Sequence, residues 1–413
     1  MNQPSGFYGL GIAPGILGVL DKLNFKTPTP IQVKSIPLAV DGKDMIGIAQ
    51  TGTGKTLAFG IPLIQGVLQG RGRGLVVLPT RELAFQVHQV FHTIGSPLGV
   101  KAAVIVGGES VSRQIHELQK APQVIIGTPG RILDHLGQKT LNFSQVRMLV
   151  LDEADRMLDM GFAPQLKRIL QAVPRERQTM LFSATMPETI VQIARAHMKL
   201  PVRVEIAPSG TAVREVSQEL FFVSREEKPR LLEKLLGEYR GSVLVFTRTK
   251  FGAKKLTRVI RTLGCSVAEL HSNRSLNQRR EALDGFKAGK YRVLVATDIA
   301  ARGIDVKGIE LVLNYDLPSN SGDYIHRIGR TARAGMKGHA IAFATPDQKN
   351  DVRDIERLMR VTLPLSKLPE LPPMRVPAPL SRPPMPPPPA FGGAGRYHTR
   401  SGQRPGLRPP RIH

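Results

Sequence analysis

The chain has 413 residues and a single cysteine, Cys265. No disulfide can therefore close within it, which excludes a disulfide-stapled secreted scaffold. Cys265 reads as a structural or surface residue, not a nucleophile. Long apolar runs are missing too: none approaches the ~20 residues that span a bilayer. The opening Met1-Asn2-Gln3-Pro4-Ser5-Gly6 has neither the charged nor the apolar part of a secretory leader. These shortages give the expectation of a cytoplasmic protein in reducing surroundings. Acidic residues vanish beyond Glu370, and 371–413 carries seven arginines with no Asp or Glu.

What is present is enough apolar content, 41 %, to bury a core in each of two or three domains. The formal net charge is +25, positive in every part of the chain. A polyanion partner, nucleic acid first, accounts for that balance more simply than an inert basic surface.

Two motifs carry the chemistry. Met45-Ile46-Gly47-Ile48 runs into Ala49-Gln50-Thr51-Gly52-Thr53-Gly54-Lys55-Thr56, a phosphate-cradling loop. Its glycines let backbone N–H groups close on phosphates, Lys55 reaches the terminal ones, and the Thr56 hydroxyl meets Mg²⁺. Met148-Leu149-Val150-Leu151 then runs into Asp152-Glu153-Ala154-Asp155. There one carboxylate can hold the metal's water shell and its neighbour can orient the attacking water. The pair predicts an ATPase or GTPase.

Short apolar runs recur between amphipathic stretches, each closed by a polar motif. Leu75-Val76-Val77-Leu78 precedes Pro79-Thr80-Arg81, and Ala103-Val104-Ile105-Val106 precedes Gly107-Gly108. Val124-Ile125-Ile126 precedes Thr128-Pro129-Gly130-Arg131, and Met180-Leu181-Phe182 precedes Ser183-Ala184-Thr185. Later, Val243-Leu244-Val245-Phe246 precedes Arg248-Thr249, and Val293-Leu294-Val295-Ala296 precedes Thr297. Leu311-Val312-Leu313 and Ile341-Ala342-Phe343 supply further strands. The pattern predicts parallel strands buried on both faces, with ligands at their carboxyl ends. Only the first half has a phosphate loop, so two α/β domains would close around one nucleotide. Pro208-Ser209-Gly210-Thr211 is the expected hinge. The Pro/Arg/Gly tail cannot bury a core and is expected to be disordered.

Over roughly residues 7–345 these motifs resemble the DEAD-box ATP-dependent RNA helicases of superfamily 2. The wording of residues 300–305, the short N-terminus and the basic tail look nearest to the bacterial RhlE-like branch. The resemblance implies two tandem RecA-like parallel-sheet domains of the P-loop NTPase type. The first would span 1–208, a linker 209–215, the second 216–370 and the tail 371–413. It implies ATP and Mg²⁺ as cofactors. Phe7, Phe25, Thr27 and Gln32 would form an adenine-reading motif, Asn24 standing where the family usually has glycine. Thr51, Gly52, Thr53, Gly54, Lys55 and Thr56 would hold the phosphates, and Gly303 and Asp305 the ribose. Lys55, Asp152, Glu153, Arg330 and Arg333 would act in hydrolysis, with Thr56 and Asp152 at the metal. Arg330 and Arg333, three apart, would share a helix face.

For RNA the resemblance gives Pro79, Thr80, Arg81, Gly108, Thr128 and Arg131 on one domain. Arg248, Thr249, Arg279, Thr297 and Ala300 would face them, with Leu276 standing where the family has glutamine. The basic tail, by its own arginines and lack of acidic residues, is expected to tether RNA, the alternative being a solvated tail that only aids solubility. Asp155, Ser183, Thr185, His326 and Arg327 would couple hydrolysis to closure, Arg327 as an interdomain contact more than a hydrolytic one. The implied partner is RNA, single-stranded or in short duplexes, bound by a monomer. Ribosome-assembly or RNA-decay proteins are further expected partners. The implied activity is RNA-stimulated ATP hydrolysis coupled to local, non-processive unwinding of short duplexes or to remodelling of RNA–protein complexes. The rivals are an ATP-gated RNA clamp, built on the same motifs, and a small-molecule kinase, which leaves the second-half arginines unused.

Overall fold

Two parallel sheets divide the chain, and the order of their strands decides where every motif lies. The structure is a computed structural model that describes residues 6–49, 52–206, 216–301, 306, 308–331 and 338–373. Thr51, Gly303, Asp305, Arg333, the expected hinge and most of the basic tail lie outside the described residues.

The first sheet has β1 (Met45–Ile48), β2 (Arg73–Val77), β3 (Ala102–Ile105), β4 (Val124–Gly127), β5 (Val146–Leu151), β6 (Gln178–Ser183) and β7 (Val202–Glu205). They lie in the order β3-β4-β2-β5-β6-β1-β7, and every pair is parallel. The second sheet has β8 (Val216–Phe222), β9 (Val243–Phe246), β10 (Val267–Leu270), β11 (Val293–Ala296), β12 (Leu311–Asn314) and β13 (Gly338–Ala344). Their order is β10-β11-β9-β12-β13-β8, again all parallel. Parallel strands need crossovers, and helices supply them, so both faces of each sheet are covered. Along β5, Met148 and Val150 enter one core cluster while Leu149 and Leu151 enter the other. Val243 and Val245 part from Leu244 and Phe246 in the same way on β9.

Ligand sites in such sheets lie off the carboxyl ends of the strands. In the first sheet the neighbours β5, β6 and β1 end in the acidic motif, residues 183–185 and the phosphate loop. The neighbours β3, β4 and β2 end in Gly107-Gly108, residues 128–131 and residues 79–81. One half of the sheet edge thus carries the nucleotide motifs and the other half the expected RNA motifs. The second sheet repeats the division, with β10, β11 and β9 on one side and β12 on the other.

Past the helix Lys349–Met359, the last among the described residues, the chain doubles back along β8. Leu220 donates its N–H to the Pro364 carbonyl and accepts from the Ser366 N–H, both at 2.9 Å. Further along, Arg230 Nε donates to the Pro372 carbonyl at 2.6 Å. Among the described residues no helix is long and apolar enough to cross a membrane.

Candidate functional site: a nucleotide cleft and a basic strand-end surface

The phosphate loop is built around glycine backbone. Gly54 has φ +91° and caps the helix Lys55–Leu68. A Cβ there would collide with Gln32 Nε2 and stand 2.9 Å from Thr29 Oγ1. Gly54 therefore cannot carry a side chain without moving the segment that touches it. That segment begins the helix Pro30–Val40, where Gln32 Oε1 accepts the Thr29 N–H at 2.9 Å to close a capping box. Gln32 Nε2 donates to the Gly54 carbonyl at 3.0 Å. The expected base reader is thus tied to the loop that would hold the phosphates. Among the described residues these bonds leave the amide one hydrogen and one lone pair for a base. Phe25 is 41 % exposed and Phe7 only 3 %. Phe7 packs in the first domain's core, so it supports this segment from behind and presents no ring to a nucleotide. Asn24 takes φ +60°, the left-handed conformation that asparagine tolerates in place of glycine.

Lys55 is buried, donates to the Ala49 carbonyl at 3.0 Å and lies 4.0 Å from Asp152 Oδ1. Burial pushes the Asp152 carboxyl up from its ordinary range, against the pull of Lys55. A carboxylate so placed, with the Thr56 hydroxyl in the first turn of the helix Lys55–Leu68, has the charge and oxygen chemistry to accept a divalent cation. For Glu153 burial also acts upward, but Arg156, Lys55, Arg330 and His326 together outweigh it and hold the carboxyl low. Glu153 Oε2 accepts from Arg156 Nη1 at 2.7 Å. Its backbone is left-handed, φ +52°, a strained state for a non-glycine residue of the kind that gathers at working sites. Arg156 is missing from the sequence expectations. Its position three after Glu153 on a short helix is the signal that points to it.

Asp155 staples the acidic motif to residues 183–185. Its Oδ2 accepts from the Ala184 N–H (3.1 Å), the Thr185 N–H (2.9 Å) and Thr185 Oγ1 (2.9 Å). Ser183 Oγ in turn accepts the Asp155 N–H at 3.3 Å. Three donors on one carboxylate oxygen tie residues 184 and 185, just past β6, to the acidic motif at the end of β5.

From the second domain, His326, Arg327 and Arg330 line a narrow cleft with Arg156 of the first. The helix that carries them is Ser321–Ile328, capped by Gly329. Arg330 therefore lies beyond the helix end, not on a helix face as expected, its Nε donating to the His326 carbonyl at 3.2 Å. Arg327 also departs from the interdomain role expected, because among the described residues its bonds stay within the second domain. Its Nη2 donates to Asp298 Oδ2 at 2.8 Å, and its Nη1 to Asn314 Oδ1 at 2.9 Å and the Asp316 carbonyl at 2.6 Å. It braces the ends of β11 and β12 from inside the domain. Arg327→Ala is expected to cost about 3–5 kcal/mol by leaving Asp298 and Asn314 without their partner. Urea denaturation of the full chain measures it, and a midpoint unchanged from wild type would refute the bracing role.

At the other half of each sheet edge, Thr80 and Thr249 hold matching positions. Each is the N-cap of its helix, accepting from the Leu83 N–H at 3.3 Å and the Gly252 N–H at 2.9 Å. Arg81 lies in the space that Gly108 leaves open, where a Cβ would collide with its guanidinium. Pro79 is buried, and Thr128 is the N-cap of the helix Pro129–Gly137. Arg131 lies 3.4 Å from Asp134. Arg248 Nη2 donates to the Leu317 carbonyl at 3.2 Å. Thr297 and Ala300 are buried at the end of β11.

Arg279 differs from expectation: it forms an ion pair with Glu82 of the first domain at 2.9 Å, so much of its charge is already matched. The helix start that holds Leu276 is closed by a Ser275–Gln278 capping box, and Leu276 itself is buried. Next to Arg279, Arg280 stacks 3.7 Å over the Phe85 ring and pairs with Glu109 at 3.5 Å. These contacts join the two domains on the half of the edge away from the phosphate loop.

A nucleotide-triphosphate site on one RecA-like domain, with arginine and histidine brought to it by a second, defines a two-domain, nucleotide-driven motor. Residues 29–193 match the DEAD/DEAH box helicase family and 227–335 the helicase conserved C-terminal domain. The ATP-dependent rRNA helicase rrp3 of Sclerotinia sclerotiorum is 46 % identical over 367 residues, 87 % of this chain and 75 % of that protein. Dbp5 of S. cerevisiae bound to RNA and ADP BeF3 is 31 % identical, covering 88 % of this chain and 95 % of that one, with a TM-score of 0.79. A DEAD box protein of Methanococcus jannaschii is 38 % identical over 88 % and 99 %, with a TM-score of 0.53. The chain belongs to the DEAD-box helicase family, and it is an ATP-dependent RNA helicase.

Proposed function

We propose that the chain uses ATP binding to clamp one RNA strand between its domains and so separates short duplexes locally. The observation that carries this is that Arg156, which holds Glu153 Oε2 at 2.7 Å, lines one cleft with Arg330 and His326 of the second domain. The hydrolysis machinery is complete only where the domains are joined. The greater overlap with the RNA- and nucleotide-bound Dbp5 than with the more identical archaeal protein supports the same reading. In this reading the domains run 1–208 and 216–370, with a linker at 209–215 and a tail from 371.

The loop amides and Lys55 hold the phosphates. Thr56 and Asp152 would hold Mg²⁺, which when bound neutralises phosphate charge. Glu153 orients and deprotonates the hydrolytic water, and Arg330, with Arg333, offsets charge on the transferred phosphoryl group. Asp155 passes the resulting shift to residues 183–185. Gln32 reads adenine. The strand-end surfaces of the two domains hold ribose and phosphate, which suits sequence-indifferent binding. Ribosomal RNA is the substrate class that the fungal relatives' names favour, and ribosome-assembly proteins are the partners that would go with it. The chain works in this reading as a monomer in the cytoplasm. The RhlE-like affiliation is proposed on the wording of residues 300–305, the short N-terminus and the basic tail alone.

The test is ATP hydrolysis by the full chain with and without single-stranded RNA, beside strand separation of a short duplex. Absence of RNA stimulation would sink the reading. Stimulation without strand separation would favour the RNA clamp. Gln32→Ala should lose the capping box, worth about 1 kcal/mol, and lower the preference for ATP over GTP. The readout is the ratio of kcat/KM for the two nucleotides; an unaltered ratio would assign the reader elsewhere.

A further inference from the structure

The helix Lys250–Thr262 starts at the end of β9, beside the expected RNA contacts Arg248 and Thr249. Its buried stripe includes Ala253, Leu256 and Ile260, which fixes its rotation against the sheet. Phe251 falls outside that stripe and is 69 % exposed. An apolar ring is expensive to leave in water, and here it stands two residues past Thr249. Lys250 Nζ lies 5.4 Å from the ring centroid, so a cation already borders it. Lys254 and Lys255, three and four residues on, share its face and are exposed, as is Arg258 a turn further. Nothing acidic interrupts this face: the helix Lys250–Thr262 contains no Asp or Glu. An exposed aromatic set in a basic stripe at a strand-end surface is the arrangement by which proteins hold unpaired bases, stacking on the ring while cations follow the backbone.

We propose that Phe251 is a base-stacking subsite, taking one unpaired nucleobase of the RNA strand as it leaves the second domain. This rests on the RNA-helicase reading above and deepens it. The surfaces at Thr80, Arg81, Thr249 and Arg248 grip ribose and phosphate, which a duplex also displays. A base can stack on Phe251 only after it has left its partner, so the ring favours the separated strand over the paired one. Stacking is indifferent to base identity, so it adds affinity without sequence preference.

The experiment uses the full chain and two probes: a single-stranded oligouridylate, and the same oligomer with abasic ribose throughout. The half-maximal RNA concentration for ATP hydrolysis is measured for wild type, Phe251→Ala and Phe251→Tyr across a range of salt. Phe251→Ala should raise that concentration on the order of tenfold, with kcat at saturating RNA unchanged. Phe251→Tyr should stay near wild type. The abasic oligomer should erase the difference between wild type and Phe251→Ala. The slope of log affinity against log salt should be the same for both, because stacking releases no counterions. Equal half-maximal concentrations, a difference that survives on the abasic oligomer, or a flattened salt slope would each overturn the proposal alone. A wild-type chain that RNA does not stimulate would overturn the helicase reading and the proposal with it. The ring is exposed, so the folded state is not at stake, and urea midpoints of the variants should match wild type.

Discussion

Glu153→Gln is expected to lower ATP turnover at saturating RNA by about 10²–10⁴-fold while RNA is still bound in the presence of ATP. The substitution removes the base and its charge but keeps the shape. A glutamine carbonyl can still accept the Arg156 Nη1 hydrogen bond, which spans 2.7 Å in the wild type. The backbone at φ +52° is no worse for glutamine than for glutamate. The fold should therefore survive, and the variant should remain closed on RNA because hydrolysis no longer reopens it. The measurement pairs steady-state hydrolysis with ATP-dependent retention of a labelled RNA strand. Turnover above about a tenth of wild type would remove Glu153 from the role of base.

Arg330→Ala should cost about 10³-fold or more in kcat and much less in ATP affinity. Its guanidinium acts on charge that develops only in the transition state, so the loss appears in kcat and kcat/KM together. Arg330 also contributes to holding the Glu153 carboxyl low. Arg156 and Lys55, which pull harder on that carboxyl, remain in the variant, and Glu153 stays ionised at neutral pH. A variant whose sole defect is a raised KM for ATP would reassign Arg330 to ground-state binding.

The central strands are legible in the sequence because they are buried on both faces. Unbroken apolar runs stand there in place of apolar–polar alternation, as in Met148-Leu149-Val150-Leu151 and Val243-Leu244-Val245-Phe246, and such runs need no partner to be recognised. The strands that the sequence hides lie at sheet edges. In β7 the exposed Arg203 and Glu205 alternate with valines, and in β8 Ser217, Gln218 and Glu219 break the run. In β10 the interruption is Glu269, buried and paired with Arg274. The site divides in the same manner. Lys55, Asp152 and Asp155 have fixed neighbours in sequence and lie together where the chemistry needs them. Residues whose meaning depends on distant partners are not legible in this way. Arg327 reads as an interdomain contact until Asp298, Asn314 and Asp316 are placed around it, and Arg279 as an RNA contact until Glu82 is placed beside it. Gly329 ends the helix before Arg330, a stop that spacing alone does not register.

The doubling-back of residues 364–366 along β8 has a consequence for handling the protein. β8 is the outer strand of its sheet, and an uncovered outer strand offers unpaired N–H and C=O groups to any other extended chain. Leu365 forms a bridge with Leu220, so this short segment works as a guard against edge-to-edge self-association. A truncation meant only to remove the basic tail should keep the chain through Pro372, where Arg230 still pins it. Cutting before Leu363 would bare the edge and turn a working motor into a template for aggregation.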